Sequence, residues 1–351
     1  MIFKKKKVNV IGLDIGSRTL KLAEIDAVKD NYTLKKFGMS DIPHGLIEEG
    51  TIKSPDEVAN AIRQLFKMHK IKDKHVAVSI GGFSIIVKTI SVQSMPSEQL
   101  QETIRFEAEQ YIPFDISDVN LDFQILGEDE DNPNQMNVLL VAAKKDVITE
   151  YDTLIRMADL IPRIIDVEAF ALQNIYEANY DTDGENVALI DIGATKTTIN
   201  IVRDSISVLV RDISFGAAQI AQQIASKTGI SMEEAEATFH DTGGGQIADK
   251  TAVEVVNTVV AEWCTEIRRA LDFFYSTYAG EHIRRIILSG GGSKIQAFRD
   301  MLAEETSSHV EQIQPFERLN PGGGFDDSYL ERVAPQAAIC LGLALRRVGD
   351  K

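Results

Sequence analysis

The chain is 351 residues long, 44% hydrophobic and 26% charged, with a formal net charge of −16. That length exceeds one ordinary core and implies two domains, while the negative field argues against nonspecific binding to nucleic acid or to an anionic membrane. No apolar run reaches the length of a bilayer span and the basic start lacks the apolar stretch of a signal peptide, so a cytosolic protein is expected.

The lysines at 4–7 read as a solvated tip, with a weak membrane-surface contact as the alternative. "VNVIGLDIG" and "TLKLAEI" then read as two strands about a turn, with Leu20, Leu22 and Ile25 expected on one face. A helix is expected over 55–69, entered by Ser54 as N-cap with Glu57 closing a capping box, and burying Val58, Ile62, Leu65 and Phe66. "HVAVSIGG" is a buried strand ending in a glycine pair. From about 86 to 162 the pattern is that of a small α+β unit inserted into a larger domain: strand, helix 98–111, strand, acidic loop "GEDEDNPNQ", strand and helix 146–159. The acidic loop reads as a solvated hairpin tip, because it lacks the spacing and glycine of an EF-hand.

At 187 the opening pattern restarts. "NVALIDIGATKTTINIVRD" and "SISVLVRDI" give three strands, followed by a helix over "FGAAQIAQQIASKTG" that ends at Gly229. Ser231 and Glu234 form a capping box before a short helix and the "DTGGG" break. A long helix is expected over 250–278, then strand, glycine loop and helix in "RRIILSGGGSKIQAFRDML", and a closing helix in "PQAAICLGLALRRV". Cys264 and Cys340 fall in helical patterns without metal-ligand spacing and read as buried reduced thiols.

The internal repeat aligns Leu13–Ser17 with Ile190–Ala194. Each copy is a hairpin whose turn follows Asp-x-Gly, and glycine lets the backbone bend sharply and bring N–H groups close to a phosphate. Ser17 and Thr19 in one copy, and Thr195 and Thr197 in the other, can donate to phosphate oxygens. Asp14 and Asp191 cannot bind phosphate directly, but they can hold a hydrated Mg²⁺ that bridges to it. Two such turns facing across a cleft would grip a triphosphate from both sides. Gly290, Gly291 and Gly292 in "LSGGGSKI" are not a Walker loop, but can let an adenosine lie against bare backbone at a helix start.

These motifs resemble the actin-like ATPase superfamily. The resemblance implies an α/β fold of duplicated ribonuclease-H-like domains with an inserted small α+β subdomain. The first domain is expected over 1–182 plus 331–351, with the insert at about 86–162, and the second over 183–330. Asp14–Ser17 resembles the first phosphate loop, Asp191–Thr195 the second and Gly290–Gly292 the adenosine loop. "IIDVEAFALQN" and "AAICLGLAL" resemble the two connecting helices, with Ala338 and Gly342 allowing a close crossing. ATP and Mg²⁺ are the implied cofactors, with Asp14, Gly16, Ser17, Thr19, Lys21, Gly193, Thr195, Lys196, Gly216 and Gly290–Gly292 as binding residues. Glu168 falls where that superfamily positions the attacking water, and with Asp191 it forms the candidate catalytic pair; its alternative is an ordinary acid at a helix N-terminus. Arg269 resembles an arginine that packs on the adenine, although the glutamate preceding it in those proteins is not matched.

Within the superfamily the chain resembles the PilM family of type IV pilus assembly proteins, over essentially its whole length. The likeness is carried by the lysine-rich start, "IRFEAEQYIPF" at 104–114, "EIRRALDFF" and "LGLALR". It implies an adaptor at the inner face of the inner membrane, with at most slow ATP hydrolysis, whose partner is the cytoplasmic N-terminal tail of PilN. A groove formed by Ile80, Phe83, Ile86, Ile104, Ala108 and Tyr111 is expected to take that tail, with packing of helix on sheet as the alternative reading of the helix face. Other platform proteins and a homo-oligomer are left open. A sugar or acetate kinase, or an FtsA- or MreB-like filament protein, is the alternative function. FtsA is disfavoured because the sequence stops at "LRRVGDK", without the amphipathic membrane helix expected there.

Overall fold

The computed structural model describes residues 9–28, 31–48, 50–129, 132–182, 184–240, 250–322 and 324–349. The lysine run at 4–7 and the "DTGGG" break lie outside them. In chain order, β1 (Ile11–Ile15), β2 (Thr19–Val28) and β3 (Asn31–Asp41) form an antiparallel meander. A two-residue ladder, β4 (Ile47–Glu48) with β5 (Thr51–Ile52), leads into α1 (Pro55–Met68). Next, β6 (His75–Ile80) runs parallel to β1. An excursion follows through β7 (Ile85–Gln93), α2 (Ser97–Ala108), β8 (Val119–Glu128) and β9 (Gln135–Lys144). The chain comes back through α3 (Lys145–Met157), β10 (Ile161–Val167, parallel to β6) and α4 (Glu168–Asn179).

The second lobe repeats this plan. Here β11 (Val187–Ile192), β12 (Thr197–Arg203) and β13 (Ile206–Ile213) form the meander. Helices α5 (Ala218–Thr228), α6 (Met232–His240) and α7 (Lys250–Thr277) follow. Then come β14 (Arg285–Ser289), α8 (Gln296–Thr306) and β15 (His309–Gln312), whose two strands are parallel to β11 and to each other. The sheets read β3-β2-β1-β6-β10 and β13-β12-β11-β14-β15, one strand order built twice. The duplicated phrase thus marks a duplicated topology. β16 (Leu319–Pro321) adds to β3, so the chain rejoins the first sheet before the expected residue 331, ahead of the closing helix α9 (Asp327–Leu345).

Burial explains the layers. β1 is buried at every position, as a central strand covered on both faces must be. Leu20 and Leu22 face the core under α1 and α3, whereas Ala23 and Ile25 face a third core between the two sheets, built largely by α4 and α9. Ile25 is therefore not on the leucine face, because a strand alternates with period two. Ser54 sits at the N-cap of α1 but makes no side-chain cap bond, so the Ser54–Glu57 box is not formed. The Ser231–Glu234 box is formed: Ser231 N–H donates to Glu234 Oε2 at 2.9 Å and Glu234 N–H to Ser231 Oγ at 3.2 Å. At the crossing of α4 and α9, a Cβ on Gly342 would overlap the Ala171 carbonyl, which is why glycine stands there.

The excursion has its own core. Sheet β7-β9-β8 packs on α2 through Ile90, Val138, Leu140, Leu100, Ile104 and Ala108. Tyr151, Leu154 and Ile155 of α3 instead pack in the first lobe's core, so the separately packed unit spans 85–144, narrower than the expected 86–162. Among the described residues, no helix is long and apolar enough to cross a membrane.

Candidate functional site

The two Asp-x-Gly turns close in the same way. Gly16 N–H donates to Thr19 O at 3.1 Å, and Gly193 N–H donates to Lys196 O at 2.9 Å. They face each other across a cleft of about 370 Å³ between the lobes. Ser17 Oγ and Thr195 Oγ1 meet across it at 2.9 Å. Asp14, Gly16, Thr19 and Lys21 line the cleft from the first lobe, and Asp191, Gly193, Lys196 and Gly290–Gly291 from the second. Glu168, the first residue of α4, lines it as well.

Close to the two turns, the carboxylates of Asp14, Glu168 and Asp191 lie near the ammonium groups of Lys21 and Lys196. Lys21 Nζ lies 3.0 Å from Asp14 Oδ2, and Lys196 Nζ pairs with Glu168 Oε2. Burial alone would lower both lysines, but the neighbouring carboxylates outweigh it and hold both above the usual lysine value. Glu168 is raised, chiefly by burial, with Asp212 and Asp14 adding repulsion against the opposing Lys196. Asp191 has no lysine of its own. Burial, helped by Asp14 and Glu168, lifts it to about 6 despite the Ser289 hydroxyl that donates to its Oδ1 at 2.7 Å. The cleft therefore carries carboxylate charge that its lysines do not fully balance. That is the environment a divalent cation relieves.

Several cleft residues escaped the sequence reading because their partners are remote in the chain. Arg18, at the tip of the first turn, donates through Nη1 to Ile42 O at 3.1 Å and through Nη2 to Glu236 Oε2 on α6 at 2.7 Å. His44 Nε2 lies 3.3 Å from the other Glu236 oxygen. This cluster clasps the two lobes at the cleft wall. Gln336 of α9 also lines the cleft, and its Oε1 accepts from Lys294 Nζ at 2.6 Å.

Other expected residues fall elsewhere. Gly216 packs against the carbonyls of Gly193 and Ala194, backing the second turn instead of lining the cleft, and Gly292 packs on Ile192. Arg269 projects from α7 with its side chain 64% exposed, pairs with Glu266, and is not among the cleft-lining residues. Exposed charge on a long helix is satisfied locally, three residues away. Glu168, by contrast, stays in the cleft, with its Oε2 paired to Lys196 Nζ.

The expected peptide surface is redistributed. Ile104 and Ala108 fill the excursion's own core, with Tyr111 and Ile86 packed against it, because the helix face that looked available is the one that covers the sheet. Phe83 is 60% exposed and Phe106, on the opposite face of α2, is 78% exposed. A groove of about 700 Å³ lies instead between the excursion and the first lobe, with Ser205, Ile206 and Ser207 of the second lobe also on its wall. Its walls include Ile80, Leu121 and Phe123 of β8, and Ile165, Val167 and Phe170. β8 is an outer strand of its sheet. Three buried polar atoms on groove residues lack hydrogen-bond partners: Asn174 Nδ2, Asp166 Oδ2 and Arg346 Nε. Arg346 Nη1 approaches Asp166 Oδ2 to 3.1 Å as an ion pair, yet burial still holds the Asp166 carboxyl above its usual value. A groove of mixed apolar and polar lining beside a strand edge suits an extended peptide.

A family model described as type IV pilus assembly protein PilM matches residues 12–348. A solved structure of a PilM-PilN type IV pilus biogenesis complex is similar, with 28% identity, a TM-score of 0.86, and coverage of 97% of this chain and 99% of that one. Ethanolamine utilization protein EutJ from Carboxydothermus hydrogenoformans is 12% identical with a TM-score of 0.59, covering 97% of this chain and 90% of that one, a likeness of fold alone. Cell division protein FtsA from Bacillus subtilis is 25% identical over 272 residues, which is 71% of this chain; the match spans only 61% of that relative's length.

Proposed function

The chain belongs to the type IV pilus assembly protein PilM family and has the actin-like ATPase fold, and from that premise we propose that it is an ATP-binding adaptor of the pilus platform. It binds the N-terminal cytoplasmic tail of PilN, and through that partner it sits at the inner face of the inner membrane. The residues present fit ATP with Mg²⁺. Asp14 and Asp191 would hold the hydrated metal, which when bound would supply positive charge to offset that of the phosphates. The turns at Ser17–Thr19 and Ala194–Lys196 cradle the phosphates, their hydroxyls donating and Lys21 and Lys196 balancing charge. Gly290 and Gly291 leave bare backbone for the adenosine.

The tail docks in the groove beside β8, adding main-chain hydrogen bonds at that strand edge and seating apolar side chains among Leu121, Phe123 and Phe170. Asp166, Asn174 and Arg346 offer the polar contacts that fix its register.

The observation that carries this reading is one of adjacency: Val167 lines the groove, and the next residue, Glu168, lines the cleft. Nucleotide in one site can therefore bias the other as a coupling free energy. The test measures a fluorescent PilN tail peptide by anisotropy, with and without ATP·Mg²⁺. Phe170→Asp is expected to abolish tail binding with ATP binding retained, and Asp14→Ala/Asp191→Ala to abolish ATP binding. Normal tail binding by Phe170→Asp would overturn the groove assignment, and ATP binding by the double variant would overturn the cleft.

A further inference from the structure

The excursion leaves the first lobe at Gly81–Gly82 and returns where Lys144 N–H donates to Ser84 O at 3.1 Å. That entry point does not touch only its own lobe. Gly82 N–H donates to Oδ2 of Asp212, a residue of β13 in the second lobe, at 2.6 Å. The other Asp212 oxygen accepts from the Thr198 hydroxyl on β12, which fixes the carboxylate's direction. Beside it, a Cβ on Gly81 would overlap both Glu168 Oε2 and Lys196 Nζ, so the cleft's ion pair lies directly against the entry backbone. Gly81 and Gly82 also line the same small cavity as Glu168, Thr198 and Asp212.

Two lobes that move relative to each other must either break this contact or carry the excursion with them. A hydrogen bond from a backbone N–H to a carboxylate is a strong one. It sits where the excursion joins the first lobe, so a small displacement there would be amplified along the length of the β7-β9-β8 sheet. We propose that Asp212 gears the excursion to the second lobe, so that lobe movement at the cleft reshapes the groove beside β8. Asp212 is thus a positioning residue that transmits between the two sites without touching either ligand. The inference rests on the proposed reading of cleft and groove as nucleotide and tail sites.

The experiment has two readouts on the full chain. Spin labels at Gln110→Cys and Glu304→Cys, both exposed, report the distance from excursion to second lobe; Cys264 and Cys340 are buried and stay unlabelled. Tail-peptide affinity is measured in parallel at saturating ATP·Mg²⁺ and without nucleotide. The unsubstituted protein is expected to shift its label distance on ATP and to change tail affinity by roughly 5- to 150-fold, the usual range of coupling. Asp212→Ala should lose both responses. Asp212→Asn, whose amide oxygen can still accept from Gly82, should keep them. If Asp212→Ala does not fold, Thr198→Val, which frees the carboxylate's other oxygen, should weaken both.

Responses in Asp212→Ala, or in Thr198→Val where that variant is the one tested, equal to those of the unsubstituted protein would overturn the gear. So would a label distance that ATP never moves. A distance response that vanishes in Asp212→Ala, alongside tail affinity indifferent to ATP, would keep the gear and sink only the proposed coupling of the groove to the cleft.

Discussion

Asp191→Asn should make the protein without nucleotide more stable and unable to bind metal-dependent ATP. The carboxyl is desolvated and faces Asp14 and Glu168, which together lift it from its ordinary 3.8 to about 6. At 1.36 kcal/mol per unit, that difference corresponds to at most about 3 kcal/mol, discounted for partial exposure to cleft water. The sign follows from linkage. A raised pKa means the folded state holds the proton more tightly, so the group's contribution is fully present below pH 4 and is lost as pH climbs through 6. An asparagine keeps the acceptor for Ser289 and never ionises, so the variant should gain over the native protein at pH 8 and match it near pH 4. Trp263, the chain's one tryptophan, packs in the second lobe's core against Phe215 with ring centroids 5.2 Å apart, and reports unfolding of the lobe that holds Asp191. Urea unfolding read by its fluorescence at pH 4 and 8, with ATP·Mg²⁺ binding in parallel, is the assay. A variant no more stable than the native protein at pH 8, or an equal gain at both pH values, would refute the claim that unbalanced carboxylate charge strains the empty cleft.

Three further outcomes are expected. Glu236→Gln weakens the clasp with Arg18 and His44, and release of a fluorescent ATP analogue should speed roughly tenfold, the equivalent of about 1.4 kcal/mol; an unchanged rate would deny the clasp a part in exchange. Ile104→Ala empties the excursion's core at a cost of about 2–5 kcal/mol, and hydrogen exchange should rise mainly within 85–144. Phe106→Ala, on the exposed face of the same helix, should stay within about 0.5 kcal/mol of the native protein; equal effects of the two would contradict the assignment of faces. Gly342→Ala pushes α9 off Ala171 and should cost about 3 kcal/mol, read as a lower melting temperature. An unshifted melt would mean that the helices separate freely.

What the sequence disclosed and what it withheld differ in range along the chain. The Asp-x-Gly turns were legible because each is complete within a few residues: the same glycine N–H closes onto the carbonyl three residues on in both copies. Repetition of that local geometry was enough to reveal the doubled sheet. The helix face of Ile104 and Ala108 was legible as apolar, but periodicity reports burial without saying what does the burying. Here it is the excursion's own sheet. Arg269 was placed by likeness alone, and an exposed arginine with Glu266 three residues away finds its charge partner locally. The groove had no linear signature, because Leu121, Asp166, Asn174 and Arg346 come from four elements that only the fold brings together.

The same contrast bears on how the two sites are joined. Each site has its own residues, which could be kept or lost separately: the two turns for the cleft, and β8, β10, α4 and Arg346 for the groove. Their connection uses residues with no phrase at all, a backbone N–H at Gly82 and a carboxylate 130 residues later. Substitutions that damage a site should therefore remove binding outright, whereas substitutions at Asp212 should leave both ligands bound and remove only their mutual effect. Because coupling is reciprocal, the factor by which ATP changes tail affinity must equal the factor by which the tail changes ATP affinity. Both factors should therefore collapse to one together in Asp212→Ala, measured as tail affinity with and without ATP·Mg²⁺ and as ATP affinity with and without the tail; factors that stay as large as in the native protein would refute the gear.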